Sequence, residues 1–554
     1  MQNREKLNNM IFAISSMAAY NYQLILKNIF PTSLRNFGDQ EIVYSDKKRF
    51  TFNEFYDRIS RFSNGLKEIG VRPGDKVAVL DWDTNHYMES YFSIPMMGAV
   101  LHTVNIRYPP ELIYLTMQHA EDKFVIIRDE FLPLIEKYAS MFDFIKGWIV
   151  YSDENEDVKT SLEPSYNYEE LVKNNEPMNY PDLDENTQAT IFYTSGTTGL
   201  PKGVTFTHRD LILHATALAS SVNREPLYVS DKDVFMSLVP LFHVHSWGLP
   251  YVTIMTGNKY VLPGRYDMGK ILELIDKEKV TLSLMVPSIL YMILNHPKAK
   301  EYKDALSRWK VVIGGAALPR GLAKLAESFG ITIIAGYGMS ETCPVLTLAL
   351  YNKKISKMKE EEKFEYRIST GIPILFVHLR VVNEYGKEVP WDGKTIGEIV
   401  VRAPWLTKEY YKDPEKTEQL WKDGWLHTGD LAFVDPDGYV HIVDREKDAI
   451  KSGGEFIPSI LIENIVSEMP GIGEVALVGV YNEKWGERPV LFVKKISNVT
   501  KEDIYKQLQK YLDIGRIQKF WIPDDVIFIE EFPKTSTGKI DKKALREMYE
   551  NMKK

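Results

Sequence analysis

Five short segments carry residue types whose spacing suits chemistry on a nucleotide. Tyr193 to Val204 reads Tyr-Thr-Ser-Gly-Thr-Thr-Gly-Leu-Pro-Lys-Gly-Val and follows the strand-like run Gln188 to Phe192. Its glycines let backbone N–H groups turn inward, its hydroxyls add donors and Lys202 adds a cation, so the loop suits a polyphosphate. It lacks the Gly-Lys-Ser/Thr ending of a Walker A loop. Gly336 to Thr342 (Gly-Tyr-Gly-Met-Ser-Glu-Thr) sets a carboxylate beside hydroxyls close after a strand. Glu341 suits a Mg²⁺ that bridges phosphates, and Tyr337 offers a flat face to a base. Gly424 to Asp430 presents Asp430, a natural partner for ribose hydroxyls. Asp444 to Glu455 holds the run Lys451, Ser452, Gly453, Gly454, and Pro533 to Asp541 places Lys539 on a polar, glycine-containing loop.

The elements that must position these segments alternate strand and helix. Lys76 to Leu80 and Phe124 to Ile127 read as buried strands, as does Thr281 to Val286 before a helix opening at Pro287. Lys310 to Ile313 runs into Gly314 and Gly315; a helix from Pro319 to Phe329 and a strand from Ile331 to Ile334 follow. The repeat of this unit predicts an α/β fold of largely parallel sheets with helices on both faces. Ser356 to Arg367 is charge-rich and reads as a solvated surface helix. After Ile374 the pattern changes to short strands with turns at Asn383–Gly386 and Asp435–Gly438, predicting a β-rich subdomain. A tight turn explains the spacing of Asp435 and Asp437 better than a metal site does. A last unit from about Asp448 has helices over 458–469 and 500–512 and strands over 474–480 and 490–493, a small α+β domain.

Length and composition bound the reading. At 554 residues more than one domain is expected, and 44% hydrophobic with 26% charged residues is ordinary globular composition. A net charge of −8 supplies no basic surplus for nucleic acid. Cys343 is the single cysteine, which excludes an internal disulfide and fits a reducing, cytoplasmic setting. Arg4 and Lys6 precede an apolar stretch, Met10 to Tyr20, that superficially resembles a secretory signal. Glu5 among the basic residues, and Ser15 and Ser16 in the stretch, favour a segment docked on the body. No stretch approaches the length of an integral membrane segment.

In this order and spacing the five segments resemble the AMP-forming, adenylate-forming superfamily, which includes acyl-CoA synthetases. The resemblance covers essentially the whole chain. It implies a large N-terminal domain (1–443), a hinge (444–447) at Lys447 and a small mobile C-terminal domain (448–554). It also implies ATP, Mg²⁺ and coenzyme A as cofactors and co-substrate, and a carboxylic acid as substrate. Thr194, Ser195, Gly196, Thr197, Thr198, Gly199 and Lys202 would hold the phosphates, with Thr198 and Glu341 at the Mg²⁺. Tyr337 with Gly315 and Ala316 would flank adenine, and Ala317, Gly338, Met339 and Ser340 would also bind the nucleotide; Asp430 would bind the ribose hydroxyls, with Arg445 nearby. Lys539 would act in adenylation. A rotation about the hinge would then withdraw it and bring Lys451, Ser452, Gly453 and Gly454 to the adenylate for CoA. A homodimer is common in the resembled branch.

For the acid, His243 and Trp247 match the segment lining the acyl tunnel, and Trp247 resembles the gate residue of fatty acyl-CoA synthetases. Acetate-activating relatives carry a tryptophan where this chain has Gly338, so the tunnel is expected to be open. The pattern most resembles the medium- to long-chain fatty acyl-CoA synthetase branch, with a short hydroxy acid such as 4-hydroxybutyrate as the alternative. His243 and His245 lack further ligands for a metal, and Cys343 reads as a small packed residue. The presence of Lys539 and Glu341 argues against a non-catalytic acyl or nucleotide sensor.

Overall fold

The computed structural model describes residues 18–154, 157–194, 201–453, 455–535 and 539–553. Two large sheets form the body. The first has seven strands in the order 165–167, 147–151, 122–128, 76–80, 100–103, 188–194 and 202–207. All its pairings are parallel except the last hairpin, Gln188–Thr194 with Lys202–Thr207. Val77 to Leu80 are buried without alternation, as expected of a strand covered on both faces.

The second sheet has nine strands. Its centre, Thr332–Gly338, Lys310–Ile313, Leu282–Met285, Val234–Phe235 and Lys259–Leu262, is parallel. Antiparallel strands close both ends, among them Val345–Leu348 beside Thr332–Gly338. The strands 282–285, 310–313 and 332–338 carry their chain to a common edge, where a parallel sheet leaves its carboxyl ends open to a ligand. Gly315 turns there with φ +76°, a left-handed conformation that glycine adopts freely.

A third, antiparallel sheet holds His378–Val382, Gly397–Arg402, Trp425–Val434 and Val440–Arg445. This is the β-rich subdomain, and its turns at Asn383–Gly386 and Asp435–Gly438 close as hairpins. The Asp435 carboxylate accepts from the N–H groups of Asp437 and Tyr439, so it shapes the turn. A fourth sheet, around Ile472–Asn482 and Gly486–Lys495, packs with helices Ser459–Ser467, Lys501–Asp513 and Lys542–Lys553 as a small separate unit with its own core.

One expectation needs amending. The charge-rich segment is α-helical only over Glu360–Arg367, after a 3₁₀ turn at Ile355–Lys357, and Lys363 in it is buried, its ammonium between Glu360 and Glu225. One face of this helix therefore packs on the body instead of lying in water. At the N-terminus, residues 20–29 do dock: Leu24 N–H donates to Glu185, Leu26 N–H to His208, and Lys27 pairs with Asp182. Most of the apolar stretch before them lies outside the described residues. Among the described residues, no helix is long and apolar enough to cross a membrane.

Candidate active site

The carboxyl ends of the second sheet, the third sheet and the small unit enclose a cleft of about 2620 Å³. Strand Thr332–Gly338 delivers Tyr337 into it. The Tyr337 hydroxyl donates to Asp430 Oδ2 at 2.6 Å, and Arg445 Nε lies 3.2 Å from Asp430 Oδ1. Asp430 and Arg445 face each other because they are register partners on adjacent antiparallel strands. Burial and the Asp430 charge push the Tyr337 phenol well above its usual range, so it stays a donor. Gly315, Ala316 and Ala317 line the same cleft, as do Gly338, Met339 and Ser340.

Glu341 follows in a short 3₁₀ turn, Ser340–Thr342. Its carboxylate is buried, and Oε1 accepts the Tyr410 hydroxyl at 2.6 Å. The Lys202 ammonium lies 4.3 Å from the centre of the Tyr410 ring. Lys202 pairs with Thr194 across the hairpin of the first sheet, so the two ends of the glycine-rich loop are fixed. Ser195, Gly196, Thr197, Thr198 and Gly199 lie outside the described residues. Among the described residues no cluster of three or more metal-ligating side chains occurs. Glu341, a buried carboxylate whose Oε2 has no hydrogen-bond partner among the described residues, suits Mg²⁺, which takes one or two carboxylates and fills its shell with substrate oxygens and water.

Lys539 enters from the small unit. Its Cε lies 3.5 Å from where a Cβ on Gly315 would stand, and Thr535 and Lys539 hold each other through N–H to carbonyl (2.8 Å) and N–H to hydroxyl (3.3 Å) bonds. Burial, with the charges of Arg445 and Lys447, lowers the Lys539 ammonium to about 8; Asp430 and Glu341 act the other way.

Trp247 covers the opposite side. A Cβ on Gly314 would lie 2.9 Å from its ring, and one on Gly315 3.7 Å from it. The backbone holding Trp247 is a left-handed turn in which Val244, His245, Ser246 and Trp247 have φ of 37°, 57°, 49° and 55°. Such a run costs about 1–2 kcal/mol per residue. Buried partners offset it: His245 Nε2 lies 2.8 Å from the Thr190 hydroxyl, and Ser246 Oγ donates to Val239 O at 2.7 Å. Desolvation, with the charges of Lys539 and Arg107, pushes His243 down to about 3, so it is neutral beside the cleft. Cys343 is buried and its thiol is raised by desolvation.

The structure does not bring Lys451 to Lys539. Lys451 is exposed, over the Phe456 ring at 4.9 Å, and Ser452 accepts from Arg488 at 3.1 Å. Gly453, with φ +62°, donates its N–H to Trp485 O at 2.8 Å. Gly454 lies outside the described residues. Lys447 is exposed in a turn where Asp448 and Ala449 N–H groups both bond Arg445 O. Gly338 differs from expectation. It lines the cleft, yet a Cβ there would point at the Pro344 carbonyl oxygen, 1.9 Å away. Its missing side chain makes room for backbone, so it is not simply an absent plug of a tunnel. Sequence reasoning missed Tyr410, whose only signal is a tyrosine between the two glycine-rich segments, and Arg107, which lines the cleft near His243.

With this geometry established, comparison with known proteins fixes the class. Residues 30–411 match the AMP-binding enzyme family and residues 461–539 the AMP-binding enzyme C-terminal domain. The chain belongs to this family of adenylate-forming enzymes. It is similar to a long-chain-fatty-acid–CoA ligase of Thermus thermophilus, 39% identical over 93% of this chain and 94% of the relative. A 3-methylmercaptopropionyl-CoA ligase of Ruegeria lacuscaerulensis is 35% identical over 95% and 98%. A crystal structure of the anthranilate CoA ligase AuaEII with anthranoyl-AMP superposes with a TM-score of 0.84 at 23% identity, over 97% of this chain and 99% of that one, a likeness of fold.

Proposed function

We propose that this protein activates a medium- to long-chain fatty acid as its acyl-AMP and transfers the acyl group to coenzyme A. It is an AMP-forming acyl-CoA ligase, and the long-chain ligase relative supports the chain length. The observation that carries the two-step reading is the meeting of Lys539 with Gly315 at the end of the Tyr337–Asp430 wall.

In the first step a carboxylate oxygen of the acid attacks the α-phosphorus of ATP; the acyl–O–P bond forms and the bond to pyrophosphate breaks. Two anions meet, so Lys539 at the reacting centre stabilises charge where it develops. Asp430 and Arg445 hold the ribose, Tyr337 and Gly315 flank adenine, and Lys202 with the loop from Thr194 holds the outer phosphates. Mg²⁺, when bound at Glu341, neutralises phosphate charge. Neutral His243 adds no charge beside the carboxylate. In the second step the CoA thiol attacks the acyl carbon, the C–S bond forms, AMP leaves and the thiol proton is released. Lys451, Ser452, Gly453 and Gly454 serve that step after the small domain, beginning near residue 448, rotates at Lys447. Separating the steps keeps water from the mixed anhydride. The cytoplasm is the expected location.

The test is a panel of straight-chain and ω-hydroxy acids running from short to long chains, with Mg·ATP and CoA. Matching yields of AMP and acyl-CoA name the acid. A second reading, a short functionalised acid such as 4-hydroxybutyrate, is favoured by the similarity to a ligase of the short acid 3-methylmercaptopropionate. Turnover confined to short acids selects it. Pyrophosphate release without acyl-CoA points to another acceptor, and no turnover on any acid supports a sensor.

A further inference from the structure

Helix Arg320–Ser328 starts without a cap of its own. Its N-cap residue is Pro319, which makes no side-chain capping bond, although the first N–H groups of a helix need partners. Those partners come from the small domain. Arg320 N–H donates to Asn464 Oδ1 and Gly321 N–H to Ser467 Oγ, each at 3.4 Å. Ser467 ends helix Ser459–Ser467, and a Cβ on Gly321 would lie only 2.1 Å from its carbonyl oxygen. The positive end of one helix therefore abuts the negative end of another, an approach that only glycine allows.

A charged pair flanks the junction. Arg320 forks onto Glu365 of its own domain and reaches Glu468 of the small domain through Nε. Tyr511 also donates to Glu468, at 3.2 Å. All these contacts cross between the two domains or brace a residue that does. A rotation at Lys447 would return the helix N–H groups to water and part Arg320 from Glu468. Contacts made in only one of two states bias the equilibrium toward it.

We propose that this junction is a latch for adenylation: an interdomain helix cap, closed over Gly321, that holds the small domain where Lys539 enters the cleft. Gly321, Asn464 and the Arg320–Glu468 pair are thus positioning residues. The proposal rests on the reading of Lys539 as the adenylation lysine.

The experiment uses the full chain with spin labels on cysteines placed at the exposed Ser328 and Lys510; buried Cys343 is shielded from labelling. Interdomain distance with Mg·ATP is read beside ATP–pyrophosphate exchange and thioester formation from supplied acyl-AMP. Gly321→Val is expected to deplete the latched distance and lower exchange about tenfold, with thioester formation held within about twofold. Asn464→Ala, which adds no bulk, is expected to lower exchange about fivefold. An unchanged distance distribution in both variants, or equal loss of both half-reactions, overturns the latch. Failure of the Lys539 reading looks different: Lys539→Ala would leave exchange intact while the Gly321→Val distance shift remained.

Discussion

Lys539 and Gly315 meet across two domains, with the lysine Cε 3.5 Å from the place a Cβ on the glycine would take. A side chain at 315 would compete with Lys539 for that space, so the absence of one and the reach of the other form a single feature. Lys539→Ala is expected to lower pyrophosphate exchange by about 10²–10³, the scale of losing one preorganised charge contact to a transition state, while sparing thioester formation from supplied acyl-AMP. Equal loss of both half-reactions would remove Lys539 from the first step.

The pH dependence follows from the same lysine. Burial and the Arg445 and Lys447 charges lower its ammonium to about 8, and in the proposed first step the protonated form is the active one. Exchange measured as kcat/KM for ATP should therefore be flat below about 8 and fall as pH rises through it, by about tenfold per unit. Lys539→Arg keeps its charge over this range, so its profile should lose that limb even though its rate drops. A limb that persists in the arginine variant would belong to another group.

Glu341 gives a prediction about the metal. Its Oε1 is held by the Tyr410 hydroxyl at 2.6 Å, which orients the carboxylate that the proposed function gives to Mg²⁺. Tyr410→Phe removes the orienting bond and keeps the ring that faces Lys202. The apparent Mg²⁺ requirement should rise about tenfold, the usual scale for losing an outer partner of a metal ligand. Glu341→Gln should raise it further. A Tyr410→Phe enzyme with unchanged Mg²⁺ dependence would reduce the tyrosine to packing.

What the sequence revealed and what it hid divide along physical lines. The unit from Lys310 through Ile334 was readable because buried parallel strands are continuous apolar runs and the following helix is periodic. Glu341 and Asp430 were readable because glycines and hydroxyls crowd around them. Tyr410 was not, since it reaches Glu341 from 69 residues away out of a stretch with no periodicity. The burial of Lys363 was masked by neighbouring charges whose partners, such as Glu225, lie on other elements. The left-handed turn at Trp247 has no glycine before Gly248 to announce it. Gly321 reads locally as a weak residue in a helix; its reason lies in the Ser467 carbonyl of another domain.

The Tyr337–Asp430–Arg445 wall, proposed to hold the ribose, predicts a selective loss. Asp430 accepts from Tyr337 at 2.6 Å and pairs with Arg445 at 3.2 Å, so its removal leaves a buried phenol without its partner and a guanidinium without its counter-charge. Asp430→Ala should raise KM for ATP about 10–100-fold, from the roughly 1.5–3 kcal/mol of hydrogen bonds to a charged group. Thioester formation from supplied acyl-AMP should weaken through its KM for the adenylate, with KM for CoA unchanged. A matching rise in KM for CoA would mean that the substitution disturbs the cleft as a whole.

Gly338 separates two accounts of chain-length control. If an open tunnel depended on its missing side chain, Gly338→Ala would shorten the preferred acid. The geometry gives a different outcome, because a Cβ there would lie 1.9 Å from the Pro344 carbonyl oxygen and 2.6 Å from its carbon. Backbone cannot yield as a side-chain tip can, so Gly338→Ala should cost stability of about 1–3 kcal/mol, read as a lower Tm or denaturant midpoint. Its chain-length profile should stay close to that of the parent. Trp247→Ala, which removes the ring beside Gly314 and Gly315, should instead broaden the profile toward longer acids. A stable Gly338→Ala enzyme with a shortened profile would return the tunnel to Gly338 and remove Trp247 from the control of length.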